Sequence, residues 1–247
     1  MSLDNIRIVL VRTFHPGNIG SAARSMKTMG LSDLCLVSPR DFPSEDAFKM
    51  AAGASDVIEN AQVFDNLADS ISDCTAVIAS TARPRGYDLP CLSPEETAEK
   101  LINGAKSGPV ALIFGPERMG LHNDDIRLAK YRVTIPANPD YSSLNMASAV
   151  QTLSYEIFKS STVTPTPSQS QASDAAQELP SSADVERFYT HLEQVLKDIK
   201  FLRPHQGETM ARLRHLTSRA EPNQLELNIL RGILSAVDRT NKTNEDS

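Results

Sequence analysis

The chain has 247 residues, of which 40% are hydrophobic and 23% are charged, and its 25 Lys and Arg against 31 Asp and Glu give a formal net charge of −6. This composition is typical of a globular protein with one or two domains, and it excludes a disordered or fibrous chain. The acidic balance argues against a surface that is basic throughout and binds nucleic acid everywhere, although local basic patches remain compatible with it.

Sequence features that would place the chain in a membrane, outside the cell or around a metal are missing. No stretch approaches the ~18–20 consecutive apolar residues of a membrane helix, and the first residues lack the basic and apolar regions of a signal peptide. Cys35, Cys74 and Cys91 match neither a disulfide framework nor a zinc pattern. Cys35 and Cys74 lie in or beside apolar runs, which favours buried thiols. We therefore expect a cytoplasmic protein without membrane segment or metal.

Short apolar runs alternate with helix-like segments over residues 1–160. The predicted strands are Ile6–Val11, Leu34–Val37, Ala76–Ala79, Val110–Phe114 and Arg132–Ile135, and the predicted helices are Ile19–Met29, Ser93–Asn103 and Ser143–Lys159. Strands that are apolar on both faces and alternate with helices predict an α/β fold with a parallel sheet flanked by helices. Ligands of such folds bind beyond the carboxyl ends of the strands, so the loops there are the candidates for function.

The composition changes after residue 160. Residues 161–182 are rich in Ser, Thr, Pro, Gln and Ala and contain no Lys or Arg, so we expect a flexible linker. Helix candidates follow at 183–202, 208–217 and 224–240, and the first keeps apolar side chains on one face for nearly five turns. The sequence thus predicts an α/β domain over 1–160, a linker over 161–182 and a small helical extension over 183–247.

Three polar or glycine-containing loops follow predicted strands, at His15–Arg24, Phe114–Leu121 and Ile135–Val150, and Ser80–Arg85 is a further candidate. Each loop alone is also compatible with an ordinary strand-to-helix connection. The chain lacks the glycine-rich nucleotide-binding motifs, the G-x-S-x-G nucleophile motif and the His or Cys sets of metal sites. The residues alone therefore predict an α/β domain with a ligand site at its strand ends.

Taken together, the three loops closely resemble, in order and spacing, the three motifs of the SPOUT-type RNA 2′-O-ribose methyltransferases. The matching residues are Asn18 and Arg24 in the first loop, Phe114, Gly115, Glu117, Gly120 and Leu121 in the second, and Ile135 and Ser142 to Asn145 in the third. Residues 5–11, 51–56 and 213–232 are also similar to one branch of this family, whose bacterial members methylate cytidine or uridine at position 32 of tRNA.

The resemblance implies a SPOUT fold, in which the last part of the α/β domain forms a trefoil knot, and a homodimer with active sites at the subunit interface. It also implies S-adenosylmethionine as methyl donor and a ribose of the tRNA anticodon loop as acceptor. The cofactor-binding residues that it implies are Ser80, Thr81, Ala82, Gly115, Ile135, Ser142, Ser143 and Leu144. Asn145 would begin the next helix against the cofactor, although helix capping alone would also explain it.

The same resemblance implies that Arg24 is the catalytic residue and that Asn18 orients Arg24 or the substrate. A guanidinium has a pKa above ~12 and no acceptor lone pair, so it is poorly suited to remove the hydroxyl proton. We expect instead that Arg24 stabilises the developing alkoxide and a nearby phosphate, while the proton passes to water or a neighbouring group. Glu117 is expected either to brace its loop or to form a solvent-exposed pair with Arg118. Tyr141 either stacks on a base or packs in the core.

Basic residues concentrate in two zones, the loops of the candidate site and residues 197–219, where six Lys and Arg face only two acidic residues, a local charge of +4. The predicted RNA-binding residues are Arg83, Arg85, Arg118, Lys197, Arg203, Arg212, Arg214 and Arg219. A solvated helix face would explain such clusters as well. Three other functions stay open: methylation of another tRNA or rRNA site, RNA binding without catalysis, and an enzyme for a small nucleotide-like substrate.

Overall fold

The structure is a computed structural model that describes residues 3–82, 89–162, 179–202 and 207–245. The chain divides into two compact units, residues 1–169 and residues 170–247. Most of the predicted linker lies outside the described residues. At its two ends, a helix extends to Thr162 and another begins at Ser182, so helices occupy the outermost positions of that range.

The first unit alternates strands and helices. Its strands are Ile6–Val11 (β1), Leu34–Val37 (β2), Gln62–Phe64 (β3), Ala76–Ser80 (β4), Cys91–Leu92 (β5), Val110–Phe114 (β6) and Tyr131–Val133 (β7). Its helices are Pro16–Thr28 (α1), Glu45–Ala51 (α2), Ser55–Glu59 (α3), Leu67–Ser70 (α4), Pro94–Gly104 (α5), Asn123–Arg127 (α6) and Met146–Thr162 (α7). The prediction of an α/β fold with flanking helices is confirmed.

The strands form one parallel sheet in the order β3-β2-β1-β6-β4-β7-β5. At its carboxyl edge, Phe114 of β6 is in register with Leu10 of β1 on one side and with Ser80 of β4 on the other. Ser80 is in register with Val133 of β7. Because these four strands end side by side, the loops that follow them leave the sheet next to one another.

Strand β1 shows why its sequence is apolar apart from Arg7. Ile8 and Leu10 belong to a core on one face, which includes residues of α1, α5 and α7, whereas Val9 and Val11 belong to the core on the opposite face. Alternate residues of a strand point to opposite faces, so a strand covered on both sides is apolar at nearly every position. This double burial positions the central strands firmly and leaves their loops free for function.

The amino edge of the sheet is closed by an ion-pair cluster. Arg7 is nearly buried, and its guanidinium donates to Asp33 at 3.0 Å, to Asp73 at 2.7 Å and to the carbonyl oxygen of Ser70 at 2.7 Å. Burial raises the pKa of the neighbouring thiols of Cys35 and Cys74 to about 12. Both thiols are therefore neutral and unreactive at neutral pH, in agreement with the predicted buried thiols.

Several short elements were not predicted. Strands β3 and β5 have three and two residues and lie at the two edges of the sheet, where no continuous apolar run is needed.

Helix α1 begins at Pro16, three residues earlier than predicted, because a proline suits the first helical position. Helix α7 begins at Met146 rather than Ser143. The trefoil knot remains a prediction from the family resemblance.

The second unit consists of Ser182–Asp198 (α8), Gly207–Ala220 (α9) and Gln224–Glu245 (α10). Its core contains Phe188, Tyr189, Val195, Leu227 and Leu234. Polar contacts join the helices around this core: His191 Nε2 lies 2.8 Å from Asp238 Oδ2, and Arg214 makes two contacts with Glu186, at 2.6 and 3.0 Å. Among the described residues, none of the helices has the length and apolar character needed to cross a membrane.

Candidate active site

A cavity of about 150 Å³ lies at the carboxyl ends of β4, β6 and β7. This is several times the ~30 Å³ that a water molecule occupies in the liquid, so the cavity is more than a packing defect. Its lining residues are Ser80 to Ala82, Phe114 to Leu121, Ile135, Ser142 to Leu144, Met146 and Ala149. All eight residues that the sequence resemblance implies for cofactor binding lie in this lining, contributed by three loops and the end of β4. Their binding role itself stays a prediction.

The loop after β6 folds back sharply to form one wall of the cavity. A Cβ atom on Gly115 would lie 2.1 Å from the backbone nitrogen of Leu121, so only glycine fits there. Gly120 has a φ of +66°, which favours glycine, and its N–H donates to the carbonyl oxygen of Pro116 at 2.8 Å. The two glycines of this loop therefore serve its close backbone approach, which brings Glu117 and Arg118 to its tip.

A chain of side-chain hydrogen bonds joins all three motif loops beside the cavity. Asn145 Nδ2 donates to Asn18 Oδ1 at 3.1 Å, and Asn18 Nδ2 donates to Glu117 Oε1 at 2.7 Å. The Glu117 carboxylate also accepts from the backbone N–H groups of Phe14, at 3.1 Å, and His15, at 3.3 Å. Partial burial alone would raise the pKa of Glu117, but these hydrogen bonds outweigh it and hold the pKa below its ordinary value.

Asn145 also caps α7. Its Oδ1 accepts from the backbone N–H groups of Ala147, at 2.8 Å, and Ser148, at 3.4 Å. Capping, one of the two interpretations of this residue, is therefore confirmed, and it explains why α7 begins at Met146. Because the amide serves the helix with its oxygen and Asn18 with its nitrogen, the start of α7 is fixed relative to the first loop.

Thr81 supplies a polar atom for which the described residues hold no partner. Its backbone N–H donates to the carbonyl oxygen of Val133 at 3.0 Å, which fixes the end of β4 against β7. Its hydroxyl oxygen is buried and makes no hydrogen bond within the described part of the chain. A buried polar atom in a cavity wall is a natural partner for a ligand. Together with the hydroxyls of Ser80, Ser142 and Ser143, it gives the wall the polar groups that a nucleoside requires.

The two predicted catalytic residues point to different sides of α1. Residues six positions apart lie about 120° apart around a helix. Asn18 faces Glu117, as described above, whereas Arg24 is exposed on the side turned away from the core and does not line the cavity. Within the described residues its guanidinium takes part in no ion pair. The structure therefore separates Arg24 from the cavity of its own chain and leaves it free to meet another molecule.

The remaining predicted residues differ in their surroundings. Arg118 lines the cavity and is exposed, whereas Arg83, Arg85 and Arg203 lie outside the described residues. Tyr141 is 81% exposed, so packing in the core is wrong for this residue. Nowhere in the described ranges do three or more His, Cys, Asp or Glu side chains gather in a way that could hold a metal ion.

In the helical unit, the predicted RNA-binding residues are unequally available. Arg214 is paired with Glu186, and its guanidinium lies 4.2 Å from the centre of the Tyr189 ring, so its charge already serves the packing of α8 against α9. Lys197 and Arg212 make exposed ion pairs along their own helices, which hold a side chain only weakly. Arg219 is exposed, and its guanidinium forms no ion pair within the described ranges.

A cluster of one aromatic and two basic side chains lies next to the cavity and was not predicted from the sequence. The Arg40 guanidinium lies 4.0 Å, and that of Arg118 5.8 Å, from the centre of the Phe14 ring. Phe14 is 41% exposed although it is a large apolar side chain. In the sequence, the one signal for this cluster is Phe14 itself, an aromatic residue in an otherwise polar loop.

A parallel α/β sheet with a cavity built from three loops at its carboxyl edge defines a class of ligand-binding enzyme folds, and comparison with known proteins identifies the family. Residues 5–155 match the model of the SpoU rRNA methylase family, and residues 183–246 match the model of the C-terminal domain of the tRNA methyltransferase TrmJ. The chain therefore belongs to the SpoU methylase family, which confirms the resemblance found in the sequence.

Full-length relatives carry both parts. The chain is 50% identical, over 96% of its length and 98% of the relative's, to the tRNA (cytidine/uridine-2′-O-)-methyltransferase TrmJ of Pectobacterium atrosepticum. Among solved structures, TrmJ from Z. mobilis is similar with 36% identity and a TM-score of 0.79, covering 94% of this chain and 98% of that one. A probable methylase family protein from Haemophilus influenzae has 40% identity and a TM-score of 0.65, covering 98% and 99%.

Proposed function

We propose that this protein transfers a methyl group from S-adenosylmethionine to the ribose 2′-hydroxyl of cytidine or uridine 32 in the anticodon loop of tRNA. The observation that carries this proposal is that the second and third motif loops line one cavity, and that hydrogen bonds of Asn145, Asn18 and Glu117 hold the first motif loop beside it. Full-length relatives named tRNA (cytidine/uridine-2′-O-)-methyltransferase support the nature of the reaction and of the acceptor.

In this proposal, S-adenosylmethionine is held by the end of β4 and by the loops after β6 and β7, which line the cavity. The unpartnered hydroxyl of Thr81, the serine hydroxyls and the main-chain groups of these segments would hold its adenosine, and Gly115 would leave room for it. When bound, the cofactor supplies a methyl group on a positively charged sulfur, which keeps the electron pair of the bond that breaks. The residues of the chain then have to hold this donor and bring the ribose hydroxyl into line with it.

In this proposal, Arg24 acts on the RNA rather than on the cofactor. It is exposed and lies outside the cavity, which suits a cation that meets the substrate from another side. Its guanidinium donates to the ribose oxygen as negative charge develops on it and to an adjacent phosphate. Because the guanidinium has no lone pair, the hydroxyl proton passes to water or to another group of the complex.

Asn18, Glu117 and Asn145 act as positioning residues for the first loop. The ionised Glu117 accepts hydrogen bonds from the backbone of Phe14 and His15 and from Asn18, so it holds the start of α1 against the cavity. Since Arg24 lies on the same helix, this contact also fixes where Arg24 stands relative to the cofactor. Small displacements of a reacting group lower the catalytic rate, so the hydrogen-bond network serves catalysis by holding the first loop in place.

The helical extension is proposed as a second RNA contact, with Arg219, Arg212, Lys197 and Arg203 as its basic residues. The domain boundaries at 160 and 182, the cytoplasmic location and the homodimer with active sites at the subunit interface belong to the same proposal. An exposed Arg24 supports the dimer, because a site that is completed across an interface needs a cation directed away from its own core.

The proposal is tested by methylation of unmodified tRNA with labelled S-adenosylmethionine. We expect label in transcripts with cytidine or uridine at position 32, and no label when that nucleotide carries a 2′-deoxyribose. Digestion and mass spectrometry then locate the methyl group. A methyl group at another tRNA nucleotide, or in rRNA, would support the proposed reaction but would show that the acceptor is a different nucleotide.

Two other outcomes would contradict the proposal itself. Tight tRNA binding without methyl transfer would make the protein an RNA-binding homologue without catalysis. Methyl transfer to a free nucleoside in the absence of tRNA binding would identify a small-molecule enzyme. Cells that lack the protein supply the complementary measurement, since their tRNA should lose the 2′-O-methyl group at position 32.

A further inference from the structure

We propose that Phe14, Arg40 and Arg118, here called the Phe14 cluster, form a binding surface for an unpaired nucleotide of the RNA substrate. The ring of Phe14 contacts a base, and the two guanidinium groups bind the phosphates on either side of it. This inference rests on the proposed function, since it names the surface that holds the RNA beside the cavity. It adds Phe14 and Arg40, for which the sequence motifs predict no role.

The geometry of the Phe14 cluster combines an accessible aromatic face with two cations. Both guanidinium carbons lie within 6 Å of the centre of the ring, at 4.0 Å for Arg40 and 5.8 Å for Arg118, which is the range of cation–π attraction. Phe14 is 41% exposed, and both arginines are exposed as well. The ring of His15 stands at 76° to that of Phe14, 4.8 Å away, and limits how the phenyl ring can turn.

The loops after β1 and β2 build the Phe14 cluster through their backbones. The N–H of Arg12 donates to the carbonyl oxygen of Val37 at 2.7 Å, and the N–H of Arg40 donates to that of Thr13 at 3.1 Å. These bonds continue the pairing of β1 and β2 beyond the strands, which brings Arg40 next to Phe14. The cluster is therefore a product of backbone register and not of a chance contact between long side chains.

The Phe14 cluster is also tied to the cavity. The backbone N–H of Phe14 donates to Glu117 at 3.1 Å, and Arg118, the next residue along, lines the cavity. A nucleotide on Phe14 would thus lie beside the place where the cofactor is proposed to bind. This proximity distinguishes the cluster from an exposed apolar residue such as Val63, which lies on the edge strand β3.

The positive charge of the Phe14 cluster determines which kind of partner it can bind. Two guanidinium groups around one ring repel each other, and within the described residues neither of them forms an ion pair with an acidic side chain. The carboxylate that contacts the backbone of Phe14, that of Glu117, is already occupied by three donors. Phosphates would supply the missing negative charge and a base would cover the exposed ring. Unpaired RNA offers both together, which makes it the partner that the Phe14 cluster fits.

The test compares tRNA affinity across four variants at several salt concentrations. Phe14→Ala and Phe14→Leu should each weaken binding by about tenfold with an unchanged salt dependence, because stacking is lost and no charge is removed. Arg40→Ala should weaken binding and lower the slope of log K against log salt by about one phosphate contact. Lys106→Ala removes one charge at the amino edge of the sheet, where Lys106 Nζ contacts Asn103, and should change neither quantity.

Controls separate this inference from the proposed function. Affinity for S-adenosylmethionine should stay within twofold of the wild type in all four variants, which also verifies folding. Wild-type affinity of both Phe14 variants for tRNA would overturn the inference, even if the protein methylates tRNA. An altered oligomeric state of Phe14→Leu in sedimentation, with tRNA affinity per subunit unchanged, would overturn it too and make the surface a subunit contact. Absence of methyl transfer by the wild type would instead refute the proposed function.

Discussion

Arg7 at the amino edge of the central sheet and three exposed arginines at its carboxyl edge are used in opposite ways. At the amino edge, Arg7 is nearly buried and donates to Asp33, Asp73 and the carbonyl oxygen of Ser70. At the carboxyl edge, Arg12 pairs with Asp125, but Arg24, Arg40 and Arg118 are exposed, and within the described residues these three form no ion pair. The first arrangement completes all its hydrogen bonds within the chain, whereas the second leaves its donors for another molecule.

This contrast shows how the position of an arginine in the sequence indicates whether it serves folding or binding. Arg7 lies inside an apolar strand, and a buried charge must be paired to be tolerated. Arg24, Arg40 and Arg118 lie at exposed positions, where pairing is not required. We therefore expect changes at the amino edge to affect folding and changes at the carboxyl edge to affect binding and catalysis. Four substitutions, ordered by expected effect, test this contrast.

Arg24→Ala should lower the rate of methyl transfer by a hundredfold or more, because it removes a donor from a developing negative charge. Affinity for S-adenosylmethionine should stay near that of the wild type, since Arg24 lies outside the cavity. Single-turnover kinetics and calorimetry measure the two quantities. Lys27→Ala, on the same helix and paired with Asp56 instead, is the control. Loss of cofactor binding together with the rate would contradict this role.

Arg7→Ala should lower the free energy of unfolding by about 3 kcal/mol, because Asp33 is left partly buried without its partner. Removing the exposed pair of Lys27 and Asp56 should have a much smaller effect on the free energy of unfolding, because solvent screens this pair. Urea unfolding of both variants measures the difference. The methylation rate of folded Arg7→Ala should equal that of the wild type. If folded Arg7→Ala methylated tRNA more slowly than the wild type, the amino edge would affect catalysis as well as folding. The expected difference between the two edges would then be wrong.

Gly115→Ala should weaken S-adenosylmethionine binding by about tenfold or more and destabilise the fold by about 1–3 kcal/mol, because the added methyl group forces the backbone at Gly120 and Leu121 to move. Gly53→Ala is the matched control, since nothing lies within 4 Å of its added Cβ atom. Calorimetric titration with the cofactor provides the measurement. Equal affinities in the two variants would mean that this loop does not shape the cofactor site.

Glu117→Gln should cost about 1 kcal/mol of local stability at neutral pH, because an amide has one acceptor oxygen where the carboxylate has two. The pKa of Glu117 is lowered in the fold, so its contribution is present above the ordinary glutamate pKa and is lost as the pH falls through the lowered value. The difference between wild type and variant should therefore shrink below about pH 4.3. Hydrogen-exchange protection of the Phe14 and His15 amides, corrected for intrinsic exchange, reports it. A difference that grows on acidification would contradict this sign.

The central strands could be predicted because burial on both faces leaves a plain apolar run. Residues of β2 and β6 match their predicted bounds, whereas β3 and β5 carry no such run because they lie at the edges of the sheet. The convergence of the motif loops was predictable in the same way, since parallel strands end together. Family resemblance then named the cavity residues, which spacing alone could not select.

The rest depended on contacts that a single sequence does not display. The approach of Arg40 to Phe14 joins residues 26 positions apart and follows from the register of β1 with β2. Likewise, the opposite directions of Asn18 and Arg24 on α1 depend on which side of the helix faces the core. The pairing of Arg214 with Glu186 changed the expected role of a residue whose charge alone suggested RNA binding.

The hydrogen bonds from Asn145 to Glu117 also have a fixed polarity. An ionised carboxylate can only accept, so Asn18 must turn its NH₂ group toward Glu117 and its oxygen toward Asn145. Asn145 must then donate with its own NH₂ group, which leaves its oxygen for the first turn of α7. One negative charge at the tip of one loop thereby orients two amides in the other two loops, and protonation of that carboxylate would remove the preference for this orientation.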